Sequence, residues 1–204
     1  MNMGMQLVVD DLETFGAVML PSGPLPEPEF LAFCEHYPDY RIEYDVEAEE
    51  LIVMLPTAMG TGFRNNDISA QLRNWARRDG RGRVADSSTL FLLPNGSRLS
   101  PDASWILKSR LVGLKMEKDL LWPEFVPDFI IELRSRSDSR TKLEKKMKQW
   151  IDNGVKLAWL VDPYKQTVDI YRPGRQPEVV TGASRIDGVG PVKGFVLDLS
   201  DVWQ

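Results

Sequence analysis

With 204 residues, 43% of them hydrophobic and 27% charged, the chain can build one sizeable core, whereas two independent cores would each need roughly 100 residues or more. Its net charge of -5 excludes a protein that coats nucleic acid indiscriminately, because phosphate binding is driven by clustered Lys and Arg. A single cysteine, Cys34, and a single histidine, His36, exclude an intrachain disulfide and a histidine-rich metal cluster within one chain.

From Met1 to Pro28 the apolar residues are scattered, and Pro21, Pro24, Pro26 and Pro28 interrupt regular hydrogen bonding, so residues 1–28 read as an extended lead-in to a single domain over 29–204. Met1–Asp10 lacks the basic start and long apolar stretch of a signal peptide, and no apolar run approaches the roughly 18 residues that cross a bilayer. These features point to the cytoplasm, with no membrane partner expected. Glu29–His36 reads as a short helix opened by Pro28. Cys34 and His36 lie too close together for a nucleophile and base joined by the fold, which leaves an ordinary structural cysteine and a surface histidine.

Tyr40–Tyr44 and Glu50–Leu55 are rich in β-formers and form a hairpin across the acidic Asp45–Glu49. Asn65–Arg78 carries Ile68, Leu72 and Trp75 at helical spacing, with Gly80 and Gly82 as stop signals. Three strands follow, Arg83–Asp86, Thr89–Leu93 and Ala103–Leu107, the last two joined by a Pro94-Asn95-Gly96 turn. Lys108–Trp122 reads as loop with a short helix. Asp128–Leu133 is a short apolar run with a carboxylate near its end, a buried strand. Ser139–Asn153 is a helix with Leu143, Met147, Trp150 and Ile151 on one stripe and Gly154 at the left-handed cap position. Lys156–Asp162 and Val168–Tyr171 are two further strands, and Phe195–Leu199 either closes the sheet or ends in a short helix. Trp122, Phe125, Trp159 and Trp203 offer apolar surface for a homodimer, although core packing explains them more simply.

Alternation in Asp128–Leu133 sets Glu132 on a face with Ile130 and Asp128, and Phe129, Ile131 and Leu133 on the other. An ionised carboxylate amid so much apolar surface needs a cation, a salt bridge or several hydrogen bonds. Asp102, between Pro101 and the apolar Ala103–Leu107, has the same placement at a strand end. Two such acids on adjacent strands can share one hard cation, and oxygen ligands suit Mg²⁺ or Mn²⁺; strand-end acids also pair with Arg or cap neighbouring elements. Seven cations, Arg134, Arg136, Arg140, Lys142, Lys145, Lys146 and Lys148, fall in one stretch, either as a solvated helix face or as a phosphate-facing one.

Pro101-Asp102, a gap, then Glu132-Leu133-Arg134 resembles the signature of the PD-(D/E)XK nuclease superfamily, with Arg134 where its lysine stands. Arginine is always protonated and cannot act as a base. Pro127-Asp128-Phe129-Ile130-Ile131-Glu132, Ser135-Arg136-Ser137-Asp138, a Lys-rich helix, Gly154-Val155, Trp159-Leu160-Val161-Asp162-Pro163 and Gly194-Phe195-Val196-Leu197 are similar to the restriction endonuclease family of the Uma type, over roughly residues 40 to 200. Ser135-Arg136-Ser137 replaces that family's Ser-Pro-Ser, and Asn65 stands near the place of a histidine.

The resemblance implies an α/β, restriction-endonuclease-like fold, a central mixed β-sheet flanked by helices. It implies a metal held by Asp102 and Glu132, a third acid at Glu43, and a catalytic lysine moved to the helix, at Lys146. Helix geometry independently sets Lys146 on the edge of the buried stripe and Lys145 nearly opposite, at roughly 100° per residue. The implied activity is Mg²⁺- or Mn²⁺-dependent DNA endonuclease action, with Arg134, Arg136 and Arg140 gripping phosphates. The alternative is a catalytically silent member that binds DNA or a protein partner, and a metal-dependent phosphatase is a third reading.

Overall fold

Apolar alternation, helical stripes and turn residues resolve, in the computed structural model, into three α-helices and fourteen strands among the described residues, which are 7–8, 17–19, 25–54, 56–114 and 124–204. In chain order they are β1 (Leu7–Val8), β2 (Ala17–Met19), α1 (Glu27–His36), β3 (Arg41–Asp45), β4 (Glu50–Met54), α2 (Met59–Asp79) and β5 (Gly82–Asp86). Next come β6 (Phe91–Leu92), β7 (Arg98–Leu99), β8 (Ala103–Leu107), a 3₁₀ turn at Lys108–Leu111, β9 (Phe129–Leu133) and α3 (Arg140–Asp152). The chain ends with β10 (Leu157–Asp162), β11 (Thr167–Tyr171), β12 (Glu178–Thr181), β13 (Arg185–Asp187), a 3₁₀ turn at Gly190–Val192 and β14 (Val196–Asp198).

The central sheet runs β12-β11-β10-β9-β8-β5 and is mixed. β9 and β10 pair in parallel, with α3 as the crossover between them, and every other pairing in it is antiparallel. All residues of β9 and β10 are buried, as expected for strands covered on both faces. On one face Phe129, Ile131, Leu133 and Trp159 pack with Ile68, Leu72 and Trp75 of α2 and with Phe195, Leu197 and Leu199. On the other, Ile130, Ala158 and Leu160 pack with Met147 and Trp150 of α3. Glu132, two residues beyond Ile130, therefore faces α3. A second, antiparallel sheet, ordered β1-β2-β4-β3-β7-β6, has its own apolar cluster with α1, including Phe30, Phe33, Tyr44 and Leu51.

Several sequence expectations shift. Strands at 7–8 and 17–19 join the second sheet, and α1 starts at Glu27 with Pro28 in its first turn, so regular hydrogen bonding begins inside the stretch read as a lead-in. Helix α2 begins at Met59, six residues before the expected Asn65. Gly60 and Gly62 are poor helix formers, but Arg64 ties the first turns to the chain end by donating from Nε to the Val202 carbonyl at 3.0 Å and from Nη2 to that of Gln204 at 2.6 Å, so tertiary contact overrides propensity.

The Pro94-Asn95-Gly96 turn joins β6 to β7, not to Ala103–Leu107, which belongs to the central sheet. β7 is only two residues long and carries no periodic signal. Phe195–Leu199 does not close the central sheet, because β14 pairs with β13 in a separate ribbon. Trp159 lies in the core, and Trp203 is half-buried with its indole N–H on the Ala183 carbonyl at 2.8 Å. Trp122 and the end of the loop expected at Lys108–Trp122 lie outside the described residues, as does Leu55. No helix among the described residues is long and apolar enough to cross a membrane.

Candidate metal and catalytic site

Where the central sheet meets the second sheet, a cleft of about 610 Å³ opens, lined by Arg41 and Met54 on one side, Thr57 and Ala58 just before α2, Thr61 and Asn65 in its first turns, and Asp102, Glu132, Arg136, Asp138 and Lys146. The six extra residues at the start of α2 are what bring Thr61 and Asn65 to this wall.

Asp102 immediately precedes β8, and Pro101 before it donates no backbone hydrogen bond. Its Oδ2 accepts from the Leu133 N–H at 2.8 Å and its Oδ1 from Asn65 Nδ2 at 3.2 Å, so both oxygens are oriented from neighbouring elements. Glu132, 4% exposed, accepts the Trp150 indole N–H on Oε1 at 3.2 Å, and the Lys146 ammonium lies 3.1 Å from that same oxygen. Glu43, in the middle of β3 and 1% exposed, accepts from the Ser100 N–H at 3.0 Å. Lys146 Nζ stands 3.2 Å from Glu43 Oε1, 3.1 Å from its Oε2 and 3.1 Å from the Ser100 carbonyl oxygen. An ammonium has three donors, and Glu43, Glu132 and Ser100 use all of them.

Burial raises the Asp102 carboxyl above its usual range, against the Leu133 hydrogen bond and the charges of Arg41 and Lys146. Burial likewise pushes Glu132 up to about 7, where Lys146 pulls it down and the charges of Asp102 and Glu43 push it further up. For Lys146 burial acts in the opposite sense, and Glu132 and Glu43 outweigh it, holding the ammonium above the ordinary lysine value. Three carboxylates thus face two cations in a desolvated pocket: Lys146, in contact with Glu43 and Glu132, and Arg41, whose charge reaches Asp102.

Among the described residues no group of three or more His, Cys, Asp and Glu side chains is arranged to hold an ion. The donor set nevertheless fits a hard divalent cation, since it is all oxygen, it carries excess negative charge, and Mg²⁺-type ions need only one or two carboxylates besides water and substrate phosphate.

Glu43, Asp102, Glu132 and Lys146 thus come together although residues 43 and 146 are 103 positions apart. Arg136 is exposed on the cleft wall. Arg134 and Arg140 are engaged elsewhere: their Nη1 atoms lie 3.0 and 3.2 Å from Oδ2 of the buried Asp162, and Arg140 also pairs with Asp169 and Glu144. Sequence reasoning missed the Ser100 backbone, which bonds both Glu43 and Lys146, and Arg41, whose Nη1 donates to the Ser87 carbonyl at 2.8 Å. The signal for Arg41 was strand alternation, since it shares a face with Glu43 two residues on. Trp150 was readable as a core residue, not as a donor to Glu132. His36 is exposed at the end of α1, edge-on to Tyr37 at 4.7 Å.

Compared with known proteins, residues 27–200 match the family model described as "Uma2: Putative restriction endonuclease". Among solved structures, the chain is similar to "a putative nuclease belonging to DUF820" from Anabaena variabilis ATCC 29413, with a TM-score of 0.74 and 22% identity over 88% of this chain and 98% of that one. That likeness is one of fold, a mixed sheet flanked by helices of restriction-endonuclease type. No curated protein matches.

Proposed function

The chain belongs to the Uma2 family, and from that premise we propose that it is a divalent-metal-dependent DNA endonuclease acting at the Glu43, Asp102, Glu132 and Lys146 cluster. The observation that carries this reading is the Lys146 ammonium, 3.1 Å from both Glu43 and Glu132 on the wall of the cleft that Asp102 also lines.

Asp102 and Glu132 would hold Mg²⁺ or Mn²⁺, which when bound lowers the pKa of a coordinated water and neutralises charge on the scissile phosphate. Trp150 and Lys146 fix the direction of Glu132, and Asn65 and the Leu133 N–H fix that of Asp102, so neither carboxylate must reorganise when charge arrives. Lys146 would donate to the attacking water or to the oxygens of the pentavalent transition state by giving up one of its three present partners. It supplies charge rather than abstracting a proton, because its acidic neighbours keep it protonated. Arg136, exposed at the rim, meets a flanking phosphate. Arg134 and Arg140, also read as phosphate ligands, would do so only by leaving Asp162. Two copies of the chain would be needed to cut both strands in one encounter.

The test is nicking of supercoiled plasmid with Mn²⁺ by wild type, Glu132→Ala and Lys146→Ala. Wild type is expected to nick, and each variant to lose at least about 100-fold, the range seen when a single electrostatic stabiliser is removed. Equal nicking by all three, or none by wild type, contradicts the proposal. A second reading, a silent nuclease-fold module that binds DNA or a protein, is favoured by the saturation of Lys146 by its three partners. Its signature is duplex binding by wild type with no cleavage in Mg²⁺ or Mn²⁺.

A further inference from the structure

The cations flagged by sequence, residues 134–148, are largely consumed by acids. Arg134 and Arg140 bind Asp162, Lys142 binds Glu50, Lys146 binds Glu43 and Glu132, and Lys148 binds Asp152. Free positive charge collects instead at the C-terminal half of α2. Arg73, Arg77 and Arg78 are all exposed, and among the described residues none of the three has an ion-pair or hydrogen-bond partner.

Around the end of the same helix, Arg81 pairs with Asp79 at 2.8 Å and reaches the Lys193 carbonyl, and Lys108 Nζ donates to the Gly80 carbonyl at 2.6 Å. Asp79, the acid in the last turn, is thereby used. At roughly 100° per residue, Arg73 and Arg77 continue a solvent stripe with Asn66 and Ala70 that carries no carboxylate. In a chain of net charge -5, such a concentration of unpaired guanidinium groups is a local departure.

Cations in a last helical turn also complement the helix dipole. That accounts poorly for this cluster. The Gly80 carbonyl already has Lys108, the Ala76 carbonyl accepts the Gly80 N–H at 2.9 Å, and Arg73 lies before the last turn.

We infer that Arg73, Arg77 and Arg78 form a second contact for the phosphodiester backbone of duplex DNA, outside the cleft. The inference rests on the nuclease reading above and extends it along α2. Asn65, which orients Asp102, and Arg77 are twelve residues apart on one helix, roughly 18 Å at 1.5 Å per residue. That span corresponds to about five steps of 3.4 Å along a DNA strand. The patch therefore gathers phosphates several steps from the scissile one, reads no bases, and raises affinity uniformly across sequences.

The test is binding of the full chain to a fluorescent duplex of about 30 base pairs, without divalent metal, across a salt series. It compares wild type with the triple variant Arg73→Gln, Arg77→Gln, Arg78→Gln and with the triple Arg→Lys variant at the same positions; mixed-sequence plasmid nicking in Mn²⁺ is run in parallel. For Gln the slope of log K against log salt is expected to fall in magnitude by about 2 to 3, at about 0.9 per phosphate contact, while Lys keeps the wild-type slope. An unchanged slope in the Gln variant, with wild type binding and nicking, overturns this inference and leaves the nuclease reading standing. A wild type that neither binds nor nicks overturns both.

Discussion

Glu43 and Glu132 are each almost completely buried, and one ammonium serves both. Removing one partner of a buried ion pair leaves an uncompensated charge and costs about 3–5 kcal/mol. Lys146→Ala is therefore expected to lower the unfolding free energy of the metal-free protein in urea denaturation by that order, and Mn²⁺ to restore part of it; a variant as stable as wild type would mean that the carboxylates are protonated or find another partner. The pH dependence follows from Glu132, whose carboxyl rises from 4.5 to about 7. The folded state then binds more protons than the unfolded state between those values, so this contribution is full below about 4.5 and is lost as pH rises through about 7, up to about 3 kcal/mol in all. Metal-free wild type should become less stable across that window, and Glu132→Gln should flatten the profile in chemical denaturation series. Trp150→Phe keeps the ring against Phe91 but removes the donor to Glu132, and is expected to cost about 1–3 kcal/mol. At this scale Asp102, Glu132 and Lys146 were legible because each breaks or edges an apolar pattern. The Ser100 backbone was not, since a main-chain N–H and carbonyl leave no trace in residue type.

The long periodic elements were legible and the short ones were not. β9, β10 and α3 declare themselves by continuous or striped apolar residues, and their register then fixes which face Glu132 takes. β6, β7 and β13, of two or three residues, are set by pairing with distant strands, and β12 is mostly exposed, so its burial pattern is weak. Gly82 was readable as a stop signal, yet it opens β5 beneath Trp105: a Cβ there would lie 2.1 Å from the indole. Gly82→Ala is therefore expected to destabilise by about 1–3 kcal/mol through overpacking, and a thermal midpoint equal to wild type would show that Trp105 can move aside at no cost. The early start of α2 places Thr61 on the cleft wall beside Asn65. Truncating its anchor, Arg64→Ala, should loosen the first turns that carry Asn65 and raise hydrogen exchange over Met59–Asn65, without changing exchange in β9.

At the scale of the whole molecule, two sheets each hold part of the candidate site. The central sheet supplies Asp102 and Glu132, the second sheet supplies Glu43, and α3 inserts Lys146 between them. This assembly was legible only through resemblance: neither composition nor periodicity says that a strand at residue 43 meets a helix at residue 146. The excess of carboxylate over ammonium is what supports the proposal that a divalent cation binds at this cluster. The most direct test of that claim is calorimetric titration of Mn²⁺ into metal-free wild type and Asp102→Asn, with duplex cleavage followed on the same samples. Wild type is expected to bind the ion and cut, and Asp102→Asn to lose both; an Asp102→Asn protein that binds Mn²⁺ and cuts like wild type would rule out a metal centre at Asp102.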